Sequence, residues 1–495
     1  MPDYMYLLES RLSPEQRAVL ERVQELSRSQ EMNTYLTGGA VRDLISGQPI
    51  RDLDFTLEGN PARIVRELEK GGARIVWESE RLRHYEMMFA GDVEGSISGA
   101  REDVYAHPGA KPEYRFGGIM EDLRRRDFAI NAIAISLNAQ SRGLLLDPTN
   151  GLADLERQEV RALTNHAFTN QPLRLLRILR YGARMGFKME SRTQEWFDLA
   201  MERKLNENVD PAGVGEEIRS LGREDSPASA LKLWEEHGLL AAVHPQLQRR
   251  KPDYDNLNKL SRLRANLYAA GIRPRLSAAV EYYIFGRLKD REASAAMRHL
   301  EFRAPEVDAI ATLVPEAKKI VHLLKGRKMN AAREAYQYIT SVPPEMLAFI
   351  EVEMPSPGVL SKIRSYLQKW RPLRMSLPLG ELDVLGVPRG PQFDKIMEQL
   401  FDAQLRGRGR DPEERAKMLR HFAGIKDESK KKPEKEKKPK GKEAEVKIAG
   451  PAAEKPGHSA AAAIASKAKK KHAEAEAAGK KAKASKSKAS GKLKK

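Results

Sequence analysis

Cysteine is absent from the 495 residues, so disulfides and thiolate metal sites are excluded. Aromatic residues are scarce at 6%. The few that cluster, Tyr282, Tyr283, Phe285 and Trp370, read as core rather than as base-stacking platforms. Long apolar runs are also missing, and the N-terminus has no basic start followed by an apolar core. The expectation is a protein that is neither secreted nor membrane-bound, hence cytoplasmic. Arginine disappears after residue 425. Residues 426–495 hold 23 lysines, no arginine and nine acids, a balance of +14 out of the chain's +18, which leaves +4 for residues 1–425. A nucleic-acid surface on the folded part must therefore be a local patch.

What is present is a 41% hydrophobic chain long enough for three or four domains. Ser13-Pro14-Glu15 opens an amphipathic helix to about Ser29. Asn33–Gly59 then carries the densest pattern. A β-type run, Thr34–Thr37, meets Gly38-Gly39, a short helical run Ala40–Ile45 follows, and a second β-type run covers Leu53–Leu57. Asp52 and Asp54 are two residues apart, so on a strand both carboxylates point the same way. Like charges that close repel unless something neutralises them. Divalent metal ions do so, and Mg²⁺ takes one or two carboxylates plus substrate phosphates. The glycine pair lets a phosphate approach bare backbone N–H groups.

Farther along, Pro61–Lys70 reads as a helix, Ala73–Trp77 as a strand, and Tyr85–Ala90 with Val93–Ser98 as a hairpin. The Gly/Pro-rich His107–Gly118 is expected to be a moving loop. Met120–Leu137 begins as a helix, with three arginines beside Asp127 leading into Phe128, Ile130, Ile133 and Ile135. Asn170–Phe187 reads as a helix with Pro172 at its first position and Gly186 as its stop. Arg174, Arg177 and Arg180 recur every three residues along it, a pattern suited to a polyanion because guanidinium forks match phosphate oxygens and base edges. Helices follow from about Asp210. Beyond 425 the Lys/Ala/Glu/Pro composition cannot bury enough surface to fold.

The strings GGAVRD…RDLDF and RRDFAINA resemble the signatures of the class II nucleotidyltransferases, the family of tRNA CCA-adding enzymes and bacterial poly(A) polymerases. The resemblance is strong over 31–235 and loose over 236–425, where Arg406, Arg408 and Arg410 suit phosphates. It implies an α+β chain. Residues 1–30 would be an N-terminal helix, 31–165 a nucleotidyltransferase head with a mixed β-sheet, 166–235 a helical neck, 236–425 a helical body and tail, and 426–495 a disordered basic segment. The implied activity is Mg²⁺-dependent addition of C and A residues to tRNA 3′ ends from CTP and ATP. The alternatives are a poly(A) polymerase, an enzyme adding only CC or only A, or a non-catalytic RNA-binding relative.

By the same resemblance Asp52 and Asp54 are catalytic and hold the metal. Gly38, Gly39 and Arg42 hold the triphosphate, and Arg126 and Asp127 handle phosphates and ribose. Arg174 reads the base, and Arg177 and Arg180 contact phosphates. Three positions depart from the pattern. Asn170-Gln171 stands where an acidic pair is usual, and because Gln171 can still accept through its carbonyl but lacks the charge, weaker or altered nucleotide discrimination is expected. Ser96 stands where many relatives carry a carboxylate, and Glu217 where an arginine is common. The basic tail is expected either to anchor nucleic acid non-specifically or to be a linker.

Overall fold

The structure is a computed structural model, and it describes residues 3–425. Two helices lead in. α1 (Tyr4–Arg11), which the sequence did not suggest, starts where the Asp3 carboxylate accepts from the N–H groups of Met5 and Tyr6. α2 (Pro14–Ser29) starts on the expected cap. Ser13 Oγ accepts from Gln16 N–H while Gln16 Oε1 accepts from Ser13 N–H, satisfying two donors that a helix start leaves open. Val19, Leu20, Val23 and Leu26 form its buried face.

The head follows, built on β1 (Thr34–Thr37), α3 (Gly39–Ile45), β2 (Leu53–Leu57), α4 (Ala62–Lys70), β3 (Arg74–Ser79), β4 (His84–Phe89) and β5 (Val93–Gly99). It continues through β6 (Arg101–Val104), β7 (Glu113–Phe116), α5 (Ile119–Arg124), β8 (Ala134–Ser136), β9 (Leu145–Leu146) and α6 (Gly151–Arg157). Seven strands form one mixed sheet in the order β3-β4-β5-β2-β1-β8-β9. β2 and β5 are parallel, whereas β1 is antiparallel to both β2 and β8. The pair that carries the glycines and the aspartates therefore lies near the middle of the sheet, where both neighbours fix its register.

Two local expectations need revision. Residues 107–118 are not all loop, because β7 pairs antiparallel with β6. The helix beginning near Met120 ends at Arg124. It cannot continue because the Asp127 carboxylate takes the N–H of Phe128 and the amide of Asn131, a local bond that competes with the helix ladder. Beyond residue 143, β9 leads into α6, whose first N–H groups, Gly151 and Leu152, donate to Asp147.

The neck begins with the four-residue α7 (Ala167–Asn170) and α8 (Arg174–Met185), followed by α9 (Ser191–Glu202) and α10 (Pro211–Arg223). Pro172 lies two residues ahead of α8 rather than at its first position, while Gly186 stops the helix in the left-handed conformation as expected. Trp234, on the next helix, is fully buried and donates to the Leu176 carbonyl. The helices Tyr254–Ala269, Ser277–Phe285 and Ala304–Lys325 continue the same hydrophobic core, and Tyr283 and Phe285 are buried in it. Leu382, Phe393, Ile396, Met397, Leu400 and Leu419 form a smaller core of their own. The architecture is α+β, a mixed-sheet head followed by helices. Among the described residues no helix is long and apolar enough to cross a membrane. The expectations for residues 426–495 lie outside the described residues.

Candidate active site

The end of β1 and the start of β2 bring the two glycines against the two carboxylates. Gly38 has φ +66°, a region that a side chain would strain. A Cβ built there would stand 3.1 Å from Arg126 Nη1 and 3.8 Å from Asp54 Oδ2. One on Gly39 would stand 3.6 Å from both Asp52 Oδ1 and Arg42 Nη2. The backbone is bare where the acidic and basic groups converge.

Asp54 lies on β2 and Asp52 immediately before it. Burial, reinforced by the charge of Asp52, pushes the Asp54 carboxyl up to about 7, against the pull of a Ser96 hydrogen bond. Ser96 is its cross-strand neighbour on β5 and donates to Oδ1 at 2.7 Å. A hydroxyl therefore stands beside Asp54 on the neighbouring strand, and no cluster of three acidic or histidine ligands exists among the described residues. Two neighbouring carboxylates form a donor set of the kind Mg²⁺ accepts when phosphate oxygens complete the shell.

Arg126 reaches this pair from the segment after α5. Its Nη2 donates to Asp122 at 2.9 Å and to Thr56 Oγ1 at 3.2 Å, and its Nη1 to the Asn131 carbonyl at 3.2 Å. Asp122 is fully buried between Arg125 and Arg126 and sits three and four residues before them. Sequence reading overlooked it, although that helical spacing was a signal. Arg42 is only 2% exposed. It is tied to Asp43 and to Asn131 Oδ1, so its charge lies beneath Gly39 rather than in the open.

The neck arginines divide into two kinds. Arg177 donates to Asp127 Oδ2 at 3.2 Å and to Glu217 at 2.6 Å, and Arg180 donates to Glu217 at 2.8 Å and Glu224 at 2.9 Å. Burial works against both cations, but Glu217, joined by Asp127 at Arg177 and by Glu224 at Arg180, holds them above their ordinary range. Burial likewise pushes Asp127 up, but Arg177 and Arg174 leave it below the usual carboxylate range. Arg174 differs. It is 7% exposed, its Nε has no partner, and its remaining nitrogens reach only the carbonyls of Ala167 and Arg125, at 3.5 and 3.4 Å. Burial lowers its pKa. A buried guanidinium with an unmet donor is costly unless a ligand meets it.

A second web ties head to neck beside Asp52. Arg51 donates to the Arg223 carbonyl at 2.8 Å, to Glu224 at 3.1 Å and to Asp225 at 2.8 Å. Arg184, on the same face of α8 as Arg180, pairs with Asp43 and Glu224. The partners that join head to neck, Arg51 with residues 223–225 and Arg184 with Asp43, lie more than 100 residues apart in the chain, and no sequence spacing announces them. Of the residues singled out from sequence, Gly38, Gly39, Asp52, Asp54 and Arg126 converge directly. Asp127 joins Arg177, Arg180 is sequestered under Glu217, and Gln171 faces Tyr105 instead.

Residues 34–161 match the model of the Poly A polymerase head domain. The match covers the head alone, which is similar to that domain. The resemblance read from the glycine and aspartate strings thus holds for this domain. An A-adding tRNA nucleotidyltransferase of Halalkalibacterium halodurans is 33% identical over 233 residues, 46% of this chain and 54% of that protein. A CC-adding tRNA nucleotidyltransferase of Deinococcus radiodurans is 34% identical over 178 residues, 36% of this chain and 47% of that one. The chain spans about half the length of the curated relatives it matches. A solved CCA-adding enzyme in an apo form aligns over 86% of this chain and 99% of its own, with 23% identity and a TM-score of 0.46, a level that carries no argument by itself.

Two outcomes follow for stability. The Asp54 carboxyl in the fold titrates above its ordinary 3.8, so ionising it costs stability, from about that pH upward and in full above about 7. Asp54→Asn should therefore stabilise the metal-free protein at pH 8 by on the order of 1 kcal/mol, seen as a higher melting temperature, with the gain vanishing towards pH 4. Thermal melts at both pH values measure it. Glu217→Ala leaves Arg177 and Arg180 without their shared partner, and denaturant titration should show a loss of about 3–5 kcal/mol.

Proposed function

We propose that this chain is a template-independent RNA nucleotidyltransferase that transfers nucleoside monophosphate from CTP or ATP to tRNA 3′ ends, in the cytoplasm. The observation that carries the reading is the convergence of Gly38-Gly39, the Asp52/Asp54 pair and Arg126 on one bare stretch of backbone. Phosphoryl transfer needs little covalent help from protein and depends on positioning and charge. The RNA 3′-oxygen forms a bond to the α-phosphorus, the bond to the β-phosphate bridge breaks, and pyrophosphate leaves.

Asp52 and Asp54 are the residues that would hold Mg²⁺, which when bound lowers the hydroxyl pKa and neutralises charge on the leaving group. The backbone at Gly38 and Gly39 lets the triphosphate approach without a side chain in the way. Arg126, held rigid by Asp122, faces it with positive charge, and Arg42 adds a buried charge beneath. Arg177 holds Asp127 in place for the ribose, and Arg180 acts through Glu217 to keep α8 set against α10. Arg174 donates to a ring nitrogen of the base through the nitrogens that now lack good partners. The segment 426–495 would add affinity for RNA through counterion release.

A second reading, an enzyme that adds only A or only CC, rests on Gln171, an amide where an acid is usual in the family the head resembles. Purified protein incubated with tRNA lacking its CCA end, or ending in CC, and each nucleoside triphosphate alone and in pairs separates the two once the products are sequenced. The proposal expects C and A to be added. Asp52→Ala and Asp54→Ala should each lower incorporation by at least about a thousandfold without unfolding the protein. Full addition by either variant would overturn the assignment.

A further inference from the structure

Asn170 and Gln171 occupy the positions where an acidic pair was expected, and the structure gives both a definite task. Asn170 Oδ1 accepts from Gly109 N–H at 2.9 Å. Gln171 Nε2 donates to Tyr105 Oη at 3.1 Å. Both therefore clamp the segment that leaves β6 onto the start of the neck, next to Arg174. Tyr105 is half-buried there, and its phenol feels the Arg174 charge.

An ionised carboxylate at 171 would offer two equivalent acceptor oxygens, and no rotation would change what it reads. A carboxamide offers one acceptor and one donor, and a half-turn about its last bond exchanges them. Its readout is defined only if something fixes that bond. Tyr105 Oη takes Nε2, which turns Oε1 to the opposite side.

We infer that Tyr105 is a specificity-determining residue that acts through Gln171, locking its amide so that the site accepts bases with an exocyclic amine beside a ring acceptor. Cytosine and adenine have that edge: the amine donates to Oε1 and the ring nitrogen accepts from Arg174. Uracil and guanine oppose a carbonyl to Oε1 and an N–H to the arginine, two mismatches in a buried place. The inference rests on the nucleotide-transfer reading above.

The test is a double-mutant cycle on the full chain, using a tRNA transcript without its 3′ CCA and each of the four nucleoside triphosphates singly. The quantity read is the ratio of C or A incorporation to U or G incorporation under single turnover. Tyr105→Phe should lower that ratio about tenfold, the size of one lost orienting hydrogen bond. The same change in a Gln171→Glu or Gln171→Asp background should alter it less than about twofold, because a carboxylate needs no anchor. An unchanged ratio in Tyr105→Phe, or an equal fall in all backgrounds, would overturn the inference. No incorporation by the unmodified protein would instead overturn the nucleotide-transfer reading. Melting temperatures of each variant separate a loss of fold from a loss of selectivity.

Discussion

Two carboxylates held side by side at the start of a paired strand are the constraint around which the head is arranged. Burial and the neighbouring charge of Asp52 make ionising Asp54 costly, and Asp54 sits on a strand that fixes its place. β2 is paired on both sides, so its register fixes where Asp54 points. Ser96 steadies one oxygen, Arg126 approaches from the far side of the glycines, and Arg51 secures the residue just before the pair to the neck. Such a site stores unfavourable charge that a cation and a polyphosphate can relieve. Sites of this kind give up stability for function.

The neck meets the opposite problem, an excess of positive charge. α8 carries Arg174, Arg177, Arg180 and Arg184 into a largely buried seam. Glu217 and Glu224 from α10 and its C-cap, with Asp127 and Asp43 from the head, absorb three of the four. Neutralising those three gives the interface its fixed geometry at modest net stability, since buried ion pairs return little beyond their desolvation. Arg174 is left over, and its unmet Nε marks the place where a ligand has most to contribute.

Much of the head was legible because its signals are local. The β1–glycine–α3 turn, the Asp-x-Asp strand and the capped α2 each declare themselves within a few residues, and the structure places them as expected. The short α5 and the β7 strand were misjudged because side-chain capping by Asp127 and pairing with β6 override local pattern. The arginine stripe on α8 was read as a surface for polyanions, since a helix cannot show in sequence which acids from 40 to 140 residues away will meet it. Glu217 stood out as a departure, but its role as the shared partner of Arg177 and Arg180 needed three dimensions. The Tyr105–Gln171 contact was hidden for the same reason, spanning 66 residues between a loop and a helix start.

The central claim is that one nucleotide bridges these two charge environments, its phosphates on the head and its base on the neck. A crystal structure of the protein with a non-hydrolysable analogue of ATP or CTP and Mg²⁺ tests it most directly. The account predicts the triphosphate along Gly38-Gly39 with Arg126, a metal ion on Asp52 and Asp54, and the base edge against Arg174 and Gln171. A nucleotide bound with its triphosphate elsewhere, or with its base away from Arg174, would contradict it.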